Sequence, residues 1–253
     1  MPLVNLPSPA ELSISSKEGG QIPDVTVHMM TNFVRKEIST SAFFKGKKVA
    51  LFSLPGAFTP TCSASHAPGY DGLASLFKKA GVDEIVCIAV NDAHVMDAWK
   101  KNLGIQNITF LADGNTDFTA GMGALFNKLP QGFGPRSWRY SMIVDDGKIE
   151  KLFIEENVAG DPFDVSDART MLAHLDMKLL PPQVAMITKA GCPFCAKAKA
   201  TLDEMGWPVQ EIPASTASLG ALAGNAGATT PQIFIDGKCI GGSDDLNAFL
   251  AAR

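Results

Sequence analysis

The sequence lacks a long apolar run. Nowhere does it contain the stretch of about 18 uncharged apolar residues that a membrane-spanning helix needs. Its N-terminal stretch, MPLVNLPSPAELSISSKEGG, also lacks the basic start and the apolar segment of a secretory signal peptide. We therefore expect a cytoplasmic protein without membrane association.

An excess of positive charge is also missing. The 22 lysines and arginines are outnumbered by 26 aspartates and glutamates, which gives a net charge of -4. The lysines are scattered along the chain and form no basic cluster. Because nucleic acids are held mainly by a basic field, we do not expect one as a partner.

Cysteine is scarce. Five cysteines with one close pair do not make the disulfide framework of a small secreted protein. Free or catalytic thiols in a reducing compartment fit this count better.

The remaining composition is that of a globular protein. With 46% hydrophobic and 19% charged residues, 253 residues provide core material for two domains. Apolar runs at 48–54 and 85–91 are typical of strands covered on both faces, and helical patterns follow at 63–80 and 92–104. An Asp-Gly turn within 140–156 predicts a hairpin. The first part of the chain is therefore predicted to be α/β with an antiparallel edge.

Two consecutive prolines separate the halves of the chain. The helical pattern of 164–180 runs into Pro181 and Pro182, which cannot continue a helix. After them the pattern predicts a smaller set of elements in the order β-α-β-α-β-β-α. We place a domain boundary at this point.

The second half contains the motif KAGCPFCAKAK. Cys192 comes after an apolar strand and at the start of a helix, where unpaired N–H groups and the helix dipole stabilise a thiolate. Cys195 lies one turn further on, within disulfide reach, and Pro193 suits the first helical position. A zinc site would need a second ligand pair, but Cys239 is alone and no histidine follows Cys195. We therefore predict a redox motif and no metal.

With TTPQIFIDGK and CIGGSDDL, this motif resembles the glutaredoxins over residues 183–253. The resemblance implies a thioredoxin fold in which Cys192 carries a mixed disulfide with glutathione. Gly241 and Gly242 would also offer free backbone N–H groups, an anion site, at a helix N-terminus. Two departures from the family are Phe194, where tyrosine is more frequent, and Thr230, where valine is common. The glutathione-binding residues that the resemblance implies are Lys189, Phe194, Thr230, Pro231, Gly242, Ser243 and Asp244.

The first half contains the stretch PGAFTPTCSASH, residues 55–66. A lone cysteine is usually a small buried apolar residue, which is our interpretation of Cys87 within the apolar run IVCIAV. Cys62 differs because it follows a Pro-Gly turn, has threonine hydroxyls at 59 and 61, and precedes a predicted helix. A reactive thiolate is the better interpretation of Cys62.

This stretch, with IAVND and RYSMIVDDG, resembles the type-5 peroxiredoxins over about residues 3 to 177. The resemblance implies that Thr59 hydrogen-bonds the peroxide and the thiolate and that Pro55 shields the site from water. It also implies that Arg139 stabilises the thiolate and the developing charge, with Arg136 as a nearby competitor. The four histidines are interpreted as structural, with His66 the one near the site.

A peroxiredoxin forms a sulfenic acid that another thiol must resolve. Between Cys87 and Cys192 the chain contains no cysteine, and residues 158–168, in the place of the family's resolving cysteine, offer aspartate and serine. Resolution must therefore come from another thiol. Glutathione, or a close relative such as glutathione amide, followed by transfer to Cys192, is one route, and direct attack by Cys192 is the other.

As a whole the chain resembles the bacterial peroxiredoxin–glutaredoxin hybrid peroxidases. This implies an α/β protein of two thioredoxin-fold domains with mixed central sheets and flanking helices: 1–177, a linker at 178–183, and 184–253. We expect a glutathione-dependent peroxidase for hydrogen peroxide and alkyl hydroperoxides without a permanently bound cofactor. It is expected to be a homo-oligomer, a dimer or tetramer, and electron transfer within or between subunits is left open. A peroxide-sensing thiol relay is the alternative, and an iron–sulfur or holdase role is a third.

Overall fold

The fold is described from a computed structural model, over residues 12–156, 158 and 160–252. The chain divides into two compact units, Met1–Leu179 and Leu180–Arg253. Residues 1–11, 157, 159 and 253, which the predicted domain ranges include, lie outside the described residues, as does part of the stretch compared with a signal peptide. Within the described part, no helix is long and apolar enough to cross a membrane.

A seven-stranded mixed sheet forms the centre of the first unit, in the order β2-β1-β5-β4-β3-β8-β9. β3, β4 and β5 are parallel, whereas β8 pairs antiparallel with β3 and with β9. β3 and β4 are buried over nearly their whole length, as continuous apolar runs predict. The strands are β1 (Thr26–Thr31), β2 (Val34–Ser39), β3 (Lys48–Ser53), β4 (Glu84–Ala89), β5 (Ile108–Ala112), β8 (Tyr140–Asp145) and β9 (Lys148–Ile154).

In the described part of the first unit, six α-helices accompany this sheet, together with a small separate hairpin of β6 (Leu125–Lys128) and β7 (Gly134–Ser137). The longest helix begins at Asp92, whose side chain accepts the N–H groups of His94 and Val95, and ends at Gly104 in a left-handed conformation. The helices are α1 (Thr40–Phe44), α2 (Ala67–Gly72), α3 (Ala74–Lys79), α4 (Ala93–Leu103), α5 (Asp117–Gly121) and α6 (Ala168–Leu175).

The predicted helix over 63–80 is not continuous. Cys62–His66 forms a π-helical turn, in which the Ala67 N–H bonds to the Cys62 carbonyl five residues back. Pro68 has no N–H with which to continue an α-helical ladder, and a second break lies at Leu73, between α2 and α3. The helical stretch predicted over 63–80 is therefore confirmed in extent, but it consists of three segments instead of one continuous helix.

The helix predicted within 164–180 is also shorter than expected. α6 begins only after Asp167, whose carboxylate caps the N–H groups of Arg169 and Thr170. Residues 164–166 are instead held in a loop by the side chain of Glu155. This loop becomes part of the site described below.

The second unit has a four-stranded sheet in the order β11-β10-β12-β13, in which β10 and β11 are parallel and the other pairs antiparallel. Its core joins the sheet to α7 and α9 through buried residues such as Met186, Leu202 and Leu246. The predicted element order matches the observed one. The elements are β10 (Val184–Thr188), α7 (Pro193–Glu204), β11 (Val209–Pro213), α8 (Thr216–Leu222), β12 (Gln232–Ile235), β13 (Lys238–Gly241) and α9 (Ser243–Ala251).

Candidate active site

Cys62 lies at the end of a tight loop that follows β3. The loop is closed locally, since the Thr59 hydroxyl donates to the Gly56 carbonyl at 2.8 Å and the Ser63 N–H to the Thr59 carbonyl at 3.0 Å. Pro55 is buried, and Cys62 itself is 0% exposed. The nucleophile candidate is therefore enclosed, as expected for a thiol that reacts with a very small substrate.

Arg139 supplies the positive charge at this thiol. It directly precedes β8 and is 1% exposed, and its Nη1 lies 3.6 Å from the Cys62 sulfur. Its Nη2 forms an ion pair of 2.5 Å with Asp161. Pro55 and Arg139 also line one small recess. The predicted Pro55, Cys62 and Arg139 are thus brought together, while the Thr59 hydroxyl, in the same loop, is bonded to Gly56.

Arg136, the competitor for this role, faces another way. Its guanidinium donates to the backbone carbonyls of Val90 and of Phe133, the latter at 2.9 Å. It also lies beside Gly56, where an added Cβ would come within 3.5 Å of its Nη1. Arg136 therefore supports the loop from outside, and Arg139 is the arginine that faces the sulfur.

His66 contributes more than the structural role that the sequence suggested. Its Nδ1 lies 3.0 Å from Arg139 Nη1 and its Nε2 lies 3.2 Å from the Ser166 carbonyl. Because a guanidinium only donates and a carbonyl only accepts, the imidazole must be neutral, with its proton on Nε2. Burial, followed by the charge of Arg139, holds the pKa of His66 well below its usual value. His66 is thus a fixed acceptor for Arg139.

One loop surrounds Arg139 with groups that the sequence did not single out. Asp161 provides the ion pair, and the Phe163 ring lies 5.6 Å from the guanidinium carbon. The same ring lies 4.9 Å from the imidazole of His66. No local motif marks these residues, since their roles arise from contacts between distant parts of the chain.

Cys87, the other cysteine of the first unit, lies within β4 and is fully buried. Burial raises the pKa of its thiol well above the usual value. A thiol that resists ionisation is a poor nucleophile. This environment agrees with the interpretation of Cys87 as a core residue.

In the second unit, Cys192 lies at the N-terminus of α7. Its sulfur accepts the Cys195 N–H at 3.2 Å, as a capping residue does, and the Thr230 hydroxyl donates to it at 3.6 Å. The pKa of Cys192 is lowered, most of all by a hydrogen bond from the Cys195 thiol and then by the hydrogen bonds from the Thr230 hydroxyl and the Cys195 N–H. Burial and the Cys192 thiol raise the pKa of Cys195. Of the pair, Cys192 is therefore the thiol better suited to act as a nucleophile.

A cleft of about 660 Å³ opens beside Cys192. Lys189 lines it, together with an ion pair of 2.5 Å between Lys199 and Glu211. Phe194 is 59% exposed and so presents its ring to solvent. The cleft is large enough for a small-molecule ligand, and Lys189 gives it a positive charge outside the Lys199–Glu211 ion pair.

The predicted anion site at the start of α9 differs from expectation. The Gly242 N–H is not free, because it donates to the Asp245 carboxylate at 2.7 Å. Ser243 is buried and Asp244 is exposed. Gly242 remains close to Pro231, since a Cβ added to it would lie 3.7 Å from the Pro231 carbonyl. Among the residues that the structure describes, no three histidine, cysteine or acidic side chains lie together in a way that could hold a metal ion.

Comparison with known proteins assigns a family to each unit. Residues 17–172 match the Redoxin family and residues 184–240 match the Glutaredoxin family. "Hybrid peroxiredoxin hyPrx5" of Haemophilus influenzae is 50% identical over 243 residues, which cover 94% of this chain and 100% of that protein. "Peroxiredoxin sll1621" of Synechocystis is 57% identical over 54% of this chain and 75% of that protein.

Solved structures resemble the first unit. Reduced Prx3 of Vibrio vulnificus in complex with H2O2 is 42% identical, with a TM-score of 0.60 over 63% of this chain and 98% of that one. The 1-Cys peroxiredoxin of Plasmodium falciparum is 37% identical, with a TM-score of 0.61 over 64% and 99%. These likenesses agree with the α/β topology of the first unit described above. The chain therefore belongs to the peroxiredoxins, as a hybrid that carries a glutaredoxin domain at its C-terminal end.

Proposed function

We propose that this hybrid, a thiol peroxidase by family, reduces hydrogen peroxide and alkyl hydroperoxides through Cys62 and is recycled by glutathione or a close relative. The observation that carries the proposal is the enclosed sulfur of Cys62 facing the Arg139 guanidinium at 3.6 Å. A positive donor group at this point stabilises both a thiolate and the charge that develops on a breaking peroxide bond.

In the first step the Cys62 thiolate attacks the distal peroxide oxygen. The oxygen–oxygen bond breaks, the sulfur is oxidised to a sulfenic acid, and the leaving oxygen departs with a proton as water or an alcohol. Thr59 and Pro55 act here as the peroxide-binding hydroxyl and as the shield against water. Arg139 directs its donors to the reacting oxygens.

Glutathione then resolves the sulfenic acid. Its thiolate bonds to the Cys62 sulfur and the hydroxyl group leaves as water, which gives a mixed disulfide. The choice of an external thiol is supported by the position of Cys87, which is buried in β4 and has a raised pKa. The first unit contains no further cysteine.

Cys192 completes the cycle by thiol–disulfide exchange. Its thiolate attacks the glutathione sulfur, Cys62 leaves as a thiolate, and a second glutathione releases oxidised glutathione from Cys192. Lys189, Phe194, Thr230, Pro231, Gly242, Ser243 and Asp244 are proposed to hold the tripeptide. Cys195 is proposed to be dispensable for this one-thiol route.

Steady-state turnover of hydrogen peroxide by the purified chain with glutathione alone tests the proposal. We expect Cys62→Ser to abolish turnover, and Cys192→Ser to abolish it while leaving a single round of Cys62 oxidation. Cys239→Ser is the matched control, because Cys239 is exposed and lies on β13. Sustained turnover of the Cys192→Ser protein would overturn the coupling, and a wild-type chain that needs a further protein would favour the relay.

A further inference from the structure

Glu155 is a buried carboxylate that holds the loop around Arg139. It follows β9 directly and is 3% exposed. Its Oε1 accepts the backbone N–H groups of Asp164, Val165 and Ser166 at 2.8 to 3.0 Å and the Ser166 hydroxyl at 2.7 Å. Its Oε2 accepts the Asp164 N–H at 2.9 Å. Among the described residues no lysine or arginine forms an ion pair with it.

These hydrogen bonds fix the direction of one carbonyl group. Three successive backbone N–H groups converge on the carboxylate, which turns the Ser166 carbonyl towards the helix behind Cys62. That carbonyl accepts the His66 Nε2–H at 3.2 Å and the Tyr70 hydroxyl at 3.0 Å. Glu155 thereby holds the acceptor that, together with Arg139 on the other side of the ring, determines which nitrogen of His66 carries the proton.

The protonation of His66 in turn determines what Arg139 can do. With its proton on Nε2, the imidazole accepts from Arg139 Nη1 at 3.0 Å, and the same Nη1 lies 3.6 Å from the Cys62 sulfur. With the proton on Nδ1, two donors would face each other and the guanidinium would have to turn away. The contacts therefore run from Glu155 through Ser166 and His66 to Arg139.

The main chain links the same residues a second time. The Glu155 N–H donates to the Arg139 carbonyl at 3.3 Å, and the Glu155 carbonyl accepts the Trp138 Nε1–H at 2.9 Å. Glu155 thus fixes the backbone that carries Arg139 as well as the group that orients its side chain. Both links therefore reach Arg139, one at its guanidinium through His66 and the other at its backbone carbonyl.

We propose that Glu155 is a positioning residue of the peroxidase reaction. Glu155 does not touch Cys62. It holds the Ser166 carbonyl, which orients His66, and His66 in turn holds the Nη1 of Arg139 in the direction that the reacting peroxide needs. Preorganised donors lose their effect when they are displaced, and a misplacement of about 1 Å can cost about 10²-fold in rate. The inference rests on the peroxidase chemistry of Cys62 and not on the glutathione route.

The test is single-turnover oxidation of Cys62 in Glu155→Gln, without any glutathione. The amide nitrogen of glutamine would place a donor against the Asp164 N–H or against Ser166. We expect the second-order rate constant with hydrogen peroxide to fall about 10-fold to 100-fold per folded molecule. Reaction of Cys62 with iodoacetamide depends on stabilisation of the thiolate but not on donors to a breaking peroxide bond, so its rate constant is expected to fall by a smaller factor than that with hydrogen peroxide. Glu156→Gln, at the exposed neighbouring position, is the matched control and is expected to react like wild type.

Nitrogen-15 NMR of the histidines provides a readout that a purely structural role would not move. We expect His66, assigned with His66→Asn, to be the Nε2–H form in wild type and to lose that form in Glu155→Gln. A wild-type peroxide rate constant, or an equal loss with peroxide and iodoacetamide at an unchanged tautomer, would overturn the proposal. If Glu155→Gln does not fold, Ser166→Ala takes its place as the test variant, because it removes only the hydroxyl bond to Glu155. A rate constant with hydrogen peroxide about twofold to fivefold lower supports the proposal, and an unchanged rate constant overturns it.

Discussion

The two cysteine sites stabilise a reactive sulfur in opposite ways. Cys62 is 0% exposed and depends on Arg139, which lies 77 positions away in sequence. Cys192 is partly exposed, and its capping partner, the Cys195 N–H, lies three positions away. At Cys62 the positive charge comes from a residue just before β8, far away in sequence. At Cys192 the stabilising groups come largely from the first turn of its own helix.

This difference follows from the substrates of the two chemistries. A peroxide is small enough to enter an enclosed site, where fixed donors act strongly because water is excluded. Thiol–disulfide exchange must admit a second sulfur on a larger molecule, so the thiol has to be open and its activation has to be local.

Replacement of the Arg139 guanidinium beside Cys62 is expected to have the largest effect on reaction rate. Arg139→Lys keeps the charge but replaces two guanidinium donors on Cys62 and Asp161 with one ammonium group. We expect the rate constant for Cys62 oxidation by hydrogen peroxide, measured by stopped flow, to fall about 10²-fold. Arg136→Lys is the comparison, since that side chain donates to backbone carbonyls, and a greater loss in Arg136→Lys would contradict the assignment.

The buried imidazole of His66, beside Cys62, predicts that the free energy of unfolding depends on pH. The pKa of His66 is well below that of an unfolded histidine, about 6.5, so the unfolded chain binds more protons below that pH. The stabilisation is therefore complete above pH 6.5 and is lost as the pH falls. Between pH 7.5 and 5.5 we expect the free energy of unfolding to fall by on the order of 1 kcal/mol.

Urea unfolding at both pH values measures this loss. His66→Asn is the control, because it removes the titrating group and leaves the other ionisable residues in place. The expected difference between the two proteins is the His66 contribution alone. An equal loss in wild type and in His66→Asn would show that His66 does not titrate in this way.

Removal of one local hydrogen bond is expected to have the smallest effect. Thr230→Val removes the hydroxyl that donates to Cys192 at 3.6 Å, and so should raise the pKa of that thiol. We expect alkylation of Cys192 at pH 6, followed by mass spectrometry, to slow about threefold to fivefold. At pH 9.5, where the thiolate is formed in both proteins, the rates should converge. A reduction that persists at pH 9.5 would point to altered access instead.

The same contrast explains which parts of the fold could be predicted from the sequence. Strands such as β3 and β10 were predicted because continuous apolar runs are a local signal. β2 was missed because it is an exposed edge strand with Arg35, Lys36 and Glu37 in succession and no alternation. The β6–β7 hairpin was missed because Gly134 and Pro135 do not resemble a strand.

The candidate site divides along the same line. Cys62 and Cys192 could be identified because each lies in a short motif at a strand-to-helix turn. His66 was interpreted only as a structural residue near the site, because its contact with the Ser166 carbonyl, 100 positions away, has no local signal in the sequence. Glu155 was not singled out at all, because a single carboxylate after a strand carries no signal until the chain is folded.

The π-helical turn at Cys62 also determines how far the Cys62 side chain is rotated about the helix axis relative to α2. A residue in an α-helix advances by about 100°, so the extra residue accommodated in Cys62–His66 turns Cys62 by that angle relative to α2. Deletion of one residue from this turn would leave the composition of the motif nearly unchanged but would rotate the sulfur away from the fixed guanidinium. The spacing between Cys62 and Pro68 is therefore constrained by angle, and substitutions at Ala64 and Ser65 should be tolerated far better than insertions or deletions in this segment.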